Sequence, residues 1–212
     1  MTIENKLQSQ EFTFDELRAL YYLVHALHGA TGRDKIVAAF ADKLRDVVAY
    51  DCLAISLADT YSGECEITHA AGELAASLLG RKIVPGEGIS GWVIANRHPF
   101  CNTDPKLDLP PAVSDKFKDY RTLAVFPILN GDDLFGAVAL YSSKLAKYDT
   151  THQRLLSEAT GLLGLALSAV PEVIAVTALR QTRIENSPGP RESSHKNFPV
   201  NTLPVQSSAR SN

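Results

Sequence analysis

Three cysteines, Cys52, Cys65 and Cys101, are the side chains of this chain best suited to covalent chemistry. Thiol catalysis requires a lowered thiolate pKa, and no neighbouring residue in the sequence promises one. An odd number of cysteines without a CxxC pair also argues against a disulfide framework and against a zinc site. Cys52 and Cys65 fall in predicted strands, where we expect them to be small buried apolar side chains.

The histidines are scattered along the chain. Only His25 and His28 share one predicted helix at i, i+3 spacing, and a metal ion would need further ligands beyond those two. We therefore predict no metal site, and no cofactor is identified.

Asn102 and Asp104 are the polar candidates for non-covalent ligand binding, because both begin a proline-containing loop predicted over residues 102–120. Polar loop residues held over an apolar pocket can orient a small molecule. An Asx turn that stabilises Pro105 explains the same residues equally well, so both interpretations stay open.

Three aromatic residues complete the set of candidate ligand contacts. Trp92, the only tryptophan, follows a glycine-rich stretch and suits either a pocket wall or the core, which is the commoner role of such a ring. Phe126 and Tyr141 lie in predicted strands, and their alternation does not decide whether they face the pocket or the opposite helices.

Two amphipathic helices are predicted at the start of the domain. Thr13 and Glu16 have the spacing of a capping box, and apolar residues then recur at intervals of three and four up to Leu27. A second apolar stripe starts after Gly32 and ends near Tyr50.

The apolar period then changes to that of strands. Runs at 52–58 and 64–71 flank a connection rich in turn-forming residues, and runs at 122–129 and 134–141 flank Asn130-Gly131-Asp132-Asp133. Each pair of runs predicts a β-hairpin.

Closely spaced glycines between the hairpins allow a tight turn before a helix predicted over 89–96, and a short strand is predicted over 98–101. The last helix begins with capping-box spacing at Thr150 to Gln153. It is predicted to run to about Val170, with a kink at Pro171 if it continues.

Composition limits the partners. A net charge of −3 provides no basic surface for nucleic acid. Residues 159–179 contain one charge, Glu172, but their helical stripe favours packing against protein over spanning a membrane. The N-terminus lacks the pattern of a signal peptide, so we expect a cytoplasmic protein with no nucleic-acid or membrane partner.

We predict three regions: a flexible N-terminus at 1–12, one domain at 13–179 and a tail at 180–212. The tail is rich in Ser, Pro, Asn and Arg and poor in apolar residues, which predicts disorder.

The chain resembles GAF domains over roughly residues 20 to 170. The resemblance is carried by Gly86-Glu87-Gly88-Ile89-Ser90-Gly91-Trp92-Val93, by Phe126-Pro127-Ile128 with the turn at Gly131 and Gly136, and by the helix opening at Asp149. It implies an α+β fold with a central antiparallel β-sheet flanked by helices on both faces. It also implies a ligand pocket between one face of the sheet and the segments after the glycine motif, and a homodimer formed by a bundle of the N- and C-terminal helices.

A second resemblance concerns GAF domains that precede GGDEF diguanylate cyclase domains, whose connecting helix often ends in Thr-Ala-Leu. Thr177-Ala178-Leu179 stands in that place, although Arg180-Gln181-Thr182-Arg183 departs from the pattern and the chain contains no GGDEF-type sequence. The hypothesis that follows is that this chain is the sensory half of such a regulator and acts on an output domain or signalling protein.

The resemblance also argues against the known activities of enzymes and cofactor-binding proteins with this fold. Free methionine sulfoxide reductases of this fold carry cysteines around the same motif, but Ser90 stands at one of those positions and Cys101 has no obvious partner. Asn102 follows Cys101 where covalent tetrapyrrole attachment would require histidine. Cyclic-nucleotide-binding GAF domains carry an extended motif that is not reproduced here.

The sequence therefore predicts a non-enzymatic sensory domain of bacterial signal transduction. We expect it to bind an unidentified small molecule and to relay binding through its terminal helices. A structural dimerisation module with no ligand is the first alternative, and a methionine sulfoxide reductase-like enzyme is the second.

Overall fold

The computed structural model describes residues 11–171, apart from 60, 61, 63, 110–112 and 114. The helices are α1 (Phe14–Gly29), α2 (Arg33–Val47), α3 (Ala75–Leu78), α4 (Gly88–Asn96) and α5 (Thr150–Ser168). The strands are β1 (Cys52–Ala58), β2 (Cys65–Ala71), β3 (Lys82–Ile83), β4 (Phe100–Thr103), β5 (Thr122–Asn130) and β6 (Asp133–Ser142). Two 3-10 turns, Pro105–Leu107 and Asp115–Phe117, lie between β4 and β5.

The strands form a single six-stranded antiparallel sheet in the order β3-β2-β1-β6-β5-β4. Both predicted hairpins are present, and β1 of the first pairs with β6 of the second, with Leu53 opposite Leu140. The sheet confirms the predicted α+β class and the antiparallel arrangement.

One face of the sheet packs against α1, α2 and α5. Leu23 of α1, Phe40 and Leu44 of α2 and Leu163 of α5 are fully buried there, together with Phe126 of β5. We call this set the helix-side core.

The opposite face packs against α3, α4 and the segment 105–120. Its buried residues include Leu78, Val93, Leu109, Phe117 and Tyr141. This site-side core means that both faces of the sheet are covered by helices, as predicted.

The capping box predicted at the start of α1 is present, whereas α5 has a different cap from the predicted capping box. At α1, Thr13 Oγ1 accepts from the Glu16 N–H and the Glu16 carboxylate accepts from the Thr13 N–H, which completes the capping box. At α5 the cap is Asp149, one residue before the predicted Thr150, because its carboxylate accepts from the His152 N–H at 2.9 Å.

α5 ends at Ser168, close to the predicted end at Val170. Residues 1–10 and the predicted tail at 180–212 lie outside the described residues, as does any helix beyond Pro171. Among the helices that are described, none combines the length and apolar character that crossing a bilayer requires.

Candidate functional site

The glycine motif positions the start of α4 against the sheet. Gly91 lies so close to the backbone carbonyl of Val84 that a Cβ atom at this position would overlap it. The Gly86 N–H donates to the Gly91 carbonyl at 2.8 Å, and Gly86 and Gly88 adopt positive φ angles of 89° and 65°. The glycines therefore let the chain turn tightly and begin α4 close to Val84, the residue after β3.

Asp108 lies against the N-terminus of α4. Its carboxylate accepts from the Ser90 N–H at 2.5 Å and from the Ser90 hydroxyl at 2.9 Å. Glu87, the N-cap residue of α4, makes no side-chain capping bond. The capping acceptor is therefore supplied by the segment after β4, where a negative charge also interacts favourably with the helix dipole.

Tyr141 extends this arrangement into the site-side core. Its side chain is fully buried, and its hydroxyl lies 3.5 Å from the Asp108 carboxylate. Burial raises the pKa of Tyr141 well above its usual value, and the nearby charge of Asp108 raises it further. The phenol is therefore neutral and acts as a hydrogen-bond donor.

A cavity of about 350 Å³ opens beside Asp108 and Ser90, and we call it the Arg81 cavity. Its polar wall combines Arg81 and Lys82 with Glu87 and Asp108, and Val84 and Leu107 supply exposed apolar surface at its rim. Such a wall can hold a small polar molecule that carries charge and an apolar portion.

A second cavity of about 460 Å³, the Tyr120 cavity, is lined in part by residues within 116–120, which belong to the segment between β4 and β5. It is lined by Arg45, Asp51, Glu73, Lys116, Asp119 and Tyr120, among others. The Arg45 guanidinium stacks 4.6 Å above the ring of Tyr50, which holds this cation at the cavity wall.

Three aromatic rings pack against one another in the site-side core. The Phe117 ring centroid lies 5.2 Å from that of Tyr120 and 5.1 Å from that of Tyr141. Burial raises the pKa of Tyr120 to about 12, so this phenol is also neutral. These rings therefore join residues of the two cavities, because Tyr120 lines the Tyr120 cavity and the Tyr141 hydroxyl lies beside Asp108 of the Arg81 cavity.

The structure does not bring the predicted ligand contacts together. Tyr141 alone touches Asp108, whereas Phe126 lies on the other face of the sheet in the helix-side core. Trp92 is 38% exposed on α4 and packs edge-on against Phe100 at 5.5 Å, so it belongs to neither core. Ligand contact by these aromatic residues stays a prediction.

Asn102 and Asp104 make local backbone contacts. The Asn102 amide donates to the Tyr148 carbonyl at 2.6 Å and accepts from the Tyr148 N–H at 2.9 Å, which ties β4 to the segment before α5. Asp104 accepts from the Lys106 N–H at 2.9 Å and so forms the Asx-type turn at Pro105. That either side chain contacts a ligand stays a prediction from the sequence.

Sequence reasoning missed Asp108 and Arg81, and it considered Ser90 only as the residue that stands where related reductases carry a cysteine. The partners of Asp108 lie 18 and 33 residues away in the chain, so no local spacing signals them. The proximity of Asp108 to the glycine motif depends on how the segment after β4 crosses the sheet.

The three thiols are protonated in this fold. Burial raises the pKa of Cys52 and of Cys101 to about 11, and it raises that of Cys65 as well. Cys52 and Cys65 lie at opposite ends of the β1–β2 hairpin, and Cys101 packs against the helix-side core. Within the described residues, no group of three or more His, Cys, Asp or Glu side chains is arranged to hold a metal ion.

Fold and site together define an α+β module that covers its sheet on both faces and has a polar cavity beside a glycine motif. A family model for the GAF domain matches residues 30–168, and the chain belongs to the GAF domain family. The search of curated proteins gave no match.

Solved structures show the same fold at low sequence identity. The GAF domain of a phosphoenolpyruvate-protein phosphotransferase from Coxiella burnetii is similar, with a TM-score of 0.65 and 17% identity over 77% of this chain and 97% of that one. A free methionine-R-sulfoxide reductase from Neisseria meningitidis, solved with its substrate, has a TM-score of 0.61 and 22% identity over 74% and 90%. The GAF domain of a two-component sensor histidine kinase from Bacillus halodurans has a TM-score of 0.56 and 17% identity over 70% and 99%.

Proposed function

We propose that this chain is a non-enzymatic sensory GAF domain of bacterial signal transduction that acts in the cytoplasm. It binds a small polar molecule on the site-side face of the sheet and relays binding to an output domain or signalling protein through its terminal helices. The observation that carries the proposal is the Arg81 cavity, whose wall joins opposite charges to the half-buried Tyr141–Asp108–Ser90 contacts.

The hydrogen bonds around the site suggest a route for the relay. Asp108 and Asn102 lie on the same continuous segment, and Asn102 is bonded to Tyr148. Tyr148 immediately precedes Asp149, the cap of α5. A ligand that prefers one position of this segment would therefore shift the start of α5, whereas one that binds both positions equally would shift nothing.

The relatives are divided between regulation and catalysis. GAF domains of a sensor kinase and of phosphotransferases support a regulatory role, and the methionine sulfoxide reductases are the enzymatic alternative. The high thiol pKa values and the hydroxyl at Ser90 favour regulation, because the thiolate is the reactive form of cysteine.

Ligand binding is tested by thermal unfolding of the full chain in the presence of free amino acids, nucleotides, cyclic nucleotides and small carboxylates. We expect at least one compound to raise Tm in a saturable way, because a ligand bound to the folded state stabilises it by mass action. Arg81→Ala should abolish that rise. Arg18→Ala removes an exposed arginine paired with Asp15 on α1 and should leave it unchanged.

Two results would replace this proposal. If no compound raises Tm while light scattering shows a dimer, the chain is a structural dimerisation module. If the protein reduces free methionine sulfoxide with dithiothreitol as the reductant, and Cys101→Ser abolishes turnover, the chain is an enzyme.

A further inference from the structure

An apolar groove of about 590 Å³ runs between the C-terminal halves of α1 and α5. Its wall includes Val24 and Leu27 from α1 and Leu162, Leu165 and Val170 from α5 and the residues after it. Leu165 is 57% exposed and Val24 is 42% exposed, although both border a space large enough to accept several side chains. Apolar surface concentrated in a groove in this way marks a place where something else packs.

The chain itself turns towards this groove after α5. The helix ends at Ser168, and the Val170 N–H bonds back to the Leu167 carbonyl at 3.2 Å. Val170 is 5% exposed and belongs to the helix-side core. Pro171, where the described part of the chain stops, lines the groove.

The residues that follow Pro171 have the composition of a segment that packs on apolar surface. Residues 172–179 read Glu-Val-Ile-Ala-Val-Thr-Ala-Leu and carry a single charge, at the position next to Pro171. From Arg180 onwards the sequence becomes polar. The apolar run is thus confined to the stretch of chain nearest the groove.

Length permits this segment to lie along the groove. The α5 side of the groove, from Leu162 to Val170, is about 12 Å long at 1.5 Å per helical residue. Eight extended residues span about 26 Å, which leaves enough chain to reverse direction at Pro171 and cover the groove.

We propose that residues 172–179 fold back and occupy the α1–α5 groove, with Val173, Ile174, Val176 and Leu179 supplying its apolar contacts. This segment then covers the C-terminal halves of α1 and α5. The proposal does not depend on whether the site-side face binds a small molecule.

Hydrogen exchange of the full chain tests the proposal. Ile174→Asp/Val176→Asp places two charges in the segment and should speed exchange in residues 24–32 and 162–170 by about tenfold, because burial of the groove is lost. Thr177→Asp/Ser187→Asp adds the same charge outside the apolar positions and should leave exchange there at the wild-type rate. Wild-type rates in the first variant would overturn the proposal.

A pair of mild substitutions provides a second test that avoids added charge. If Leu165 contacts the segment, the Tm losses of Leu165→Ala and Ile174→Ala are coupled, and the double variant loses less than their sum. Additive losses would contradict the contact. A different result would also overturn the proposal. If hydrogen exchange in the groove slows as protein concentration rises, and the Ile174 variants do not change it, the occupant is a second copy of the chain.

Discussion

At the scale of single residues, Asp108 is the acceptor on which the start of α4 depends. It binds the N–H and the hydroxyl of Ser90 and lies within reach of the buried Tyr141 hydroxyl. Removing a carboxylate that satisfies partly buried donors costs about 1–3 kcal/mol. We therefore expect Asp108→Ala to lower the free energy of unfolding in urea by that amount.

Asp104→Ala is the matched control for that variant. Asp104 caps an exposed 3-10 turn through one backbone bond, so its loss should cost roughly 1 kcal/mol or less. If both variants lose the same free energy of unfolding, Asp108 does not stabilise the start of α4 beyond an ordinary cap.

Asn102 combines a side-chain role with an unusual backbone conformation. It has a φ angle of 58° and makes two hydrogen bonds with the backbone of Tyr148. Asn102→Ala and Asn102→Gly both remove those bonds, but only glycine adopts this φ angle without steric cost. Alanine should therefore be less stable than glycine by about 1 kcal/mol in urea unfolding.

The comparison separates the two contributions at this position. If Asn102→Gly were as stable as the wild type, the bonds to Tyr148 would contribute nothing measurable. If Asn102→Ala matched Asn102→Gly, the backbone conformation would be unstrained.

Asp51 gives stability a dependence on acid. Its pKa is lowered chiefly by the Ser143 N–H, which donates to its carboxylate at 2.7 Å, and also by the hydroxyls of Ser143 and Ser142. A carboxyl with a lowered folded-state pKa stabilises the protein above its unfolded pKa of about 3.9 and loses that contribution as pH falls through the folded value. Urea midpoints measured from pH 6 to pH 3 should therefore fall less steeply in Asp51→Asn than in the wild type.

Ser143→Ala is the control for this effect. It removes one hydroxyl and keeps the backbone N–H that lowers the pKa most, so most of the acid dependence should remain. An Asp51→Asn profile parallel to that of the wild type would rule out Asp51 as a source of that dependence.

At the scale of elements, two glycines of α5 have opposite surroundings. A Cβ at Gly164 would overlap the backbone carbonyl of Leu129, so this glycine lets the helix approach β5 closely. A Cβ at Gly161 would meet nothing within 4 Å. Gly161→Ala should stabilise the protein by about 0.5–1 kcal/mol, because alanine is the better helix former.

Gly164→Ala should instead lower Tm, because α5 must move away from β5 and loosen the helix-side core. Overpacking of this kind costs about 1–3 kcal/mol. Thermal unfolding of both variants checks the pair, and a shift of the same sign in both would contradict the packing described for α5.

Most of these elements could be predicted because their signals are local. The turn at 130–133, the capping box at Thr13 and the apolar stripes of α1 and α2 each depend on residues close in sequence. β3 is two residues long and is held by pairing with β2 at Cys65 and Glu66, so no periodicity could reveal it. The order of the strands likewise depends on pairing between distant residues.

The candidate site was harder to predict because the central strands are buried on both faces. Phe126 and Tyr141 both lie in continuous apolar runs, and alternation shows which residues share a face without showing which face carries the cavities. Asp108 could not be predicted either, because its role depends on contacts with Ser90 and Tyr141, which are distant in sequence.

At the scale of the whole molecule, the exposed surface of α1 bears on the proposed homodimer. Phe14, Leu17, Tyr21 and Val24 are all exposed, at 77%, 51%, 65% and 42%, and their spacing of three, four and three residues forms one stripe. The buried residues of α1, Leu23 and Leu27, lie on a different face of the helix. A second apolar stripe at this spacing is typical of a helix that packs against another helix.

We therefore expect the protein to dimerise through the N-terminal half of α1. Leu17→Asp should weaken the dimer at least about 100-fold, because a carboxylate is costly to bury in an apolar seam. Light scattering coupled to size-exclusion chromatography over a range of concentrations measures the change. Leu145→Asp places the same charge on another exposed leucine, 75% accessible after β6, and should leave the dimer intact. The stripe is not the dimer interface if the wild-type protein is monomeric at every concentration, or if both variants dissociate to the same extent. The relay through α1 would then need a different partner surface.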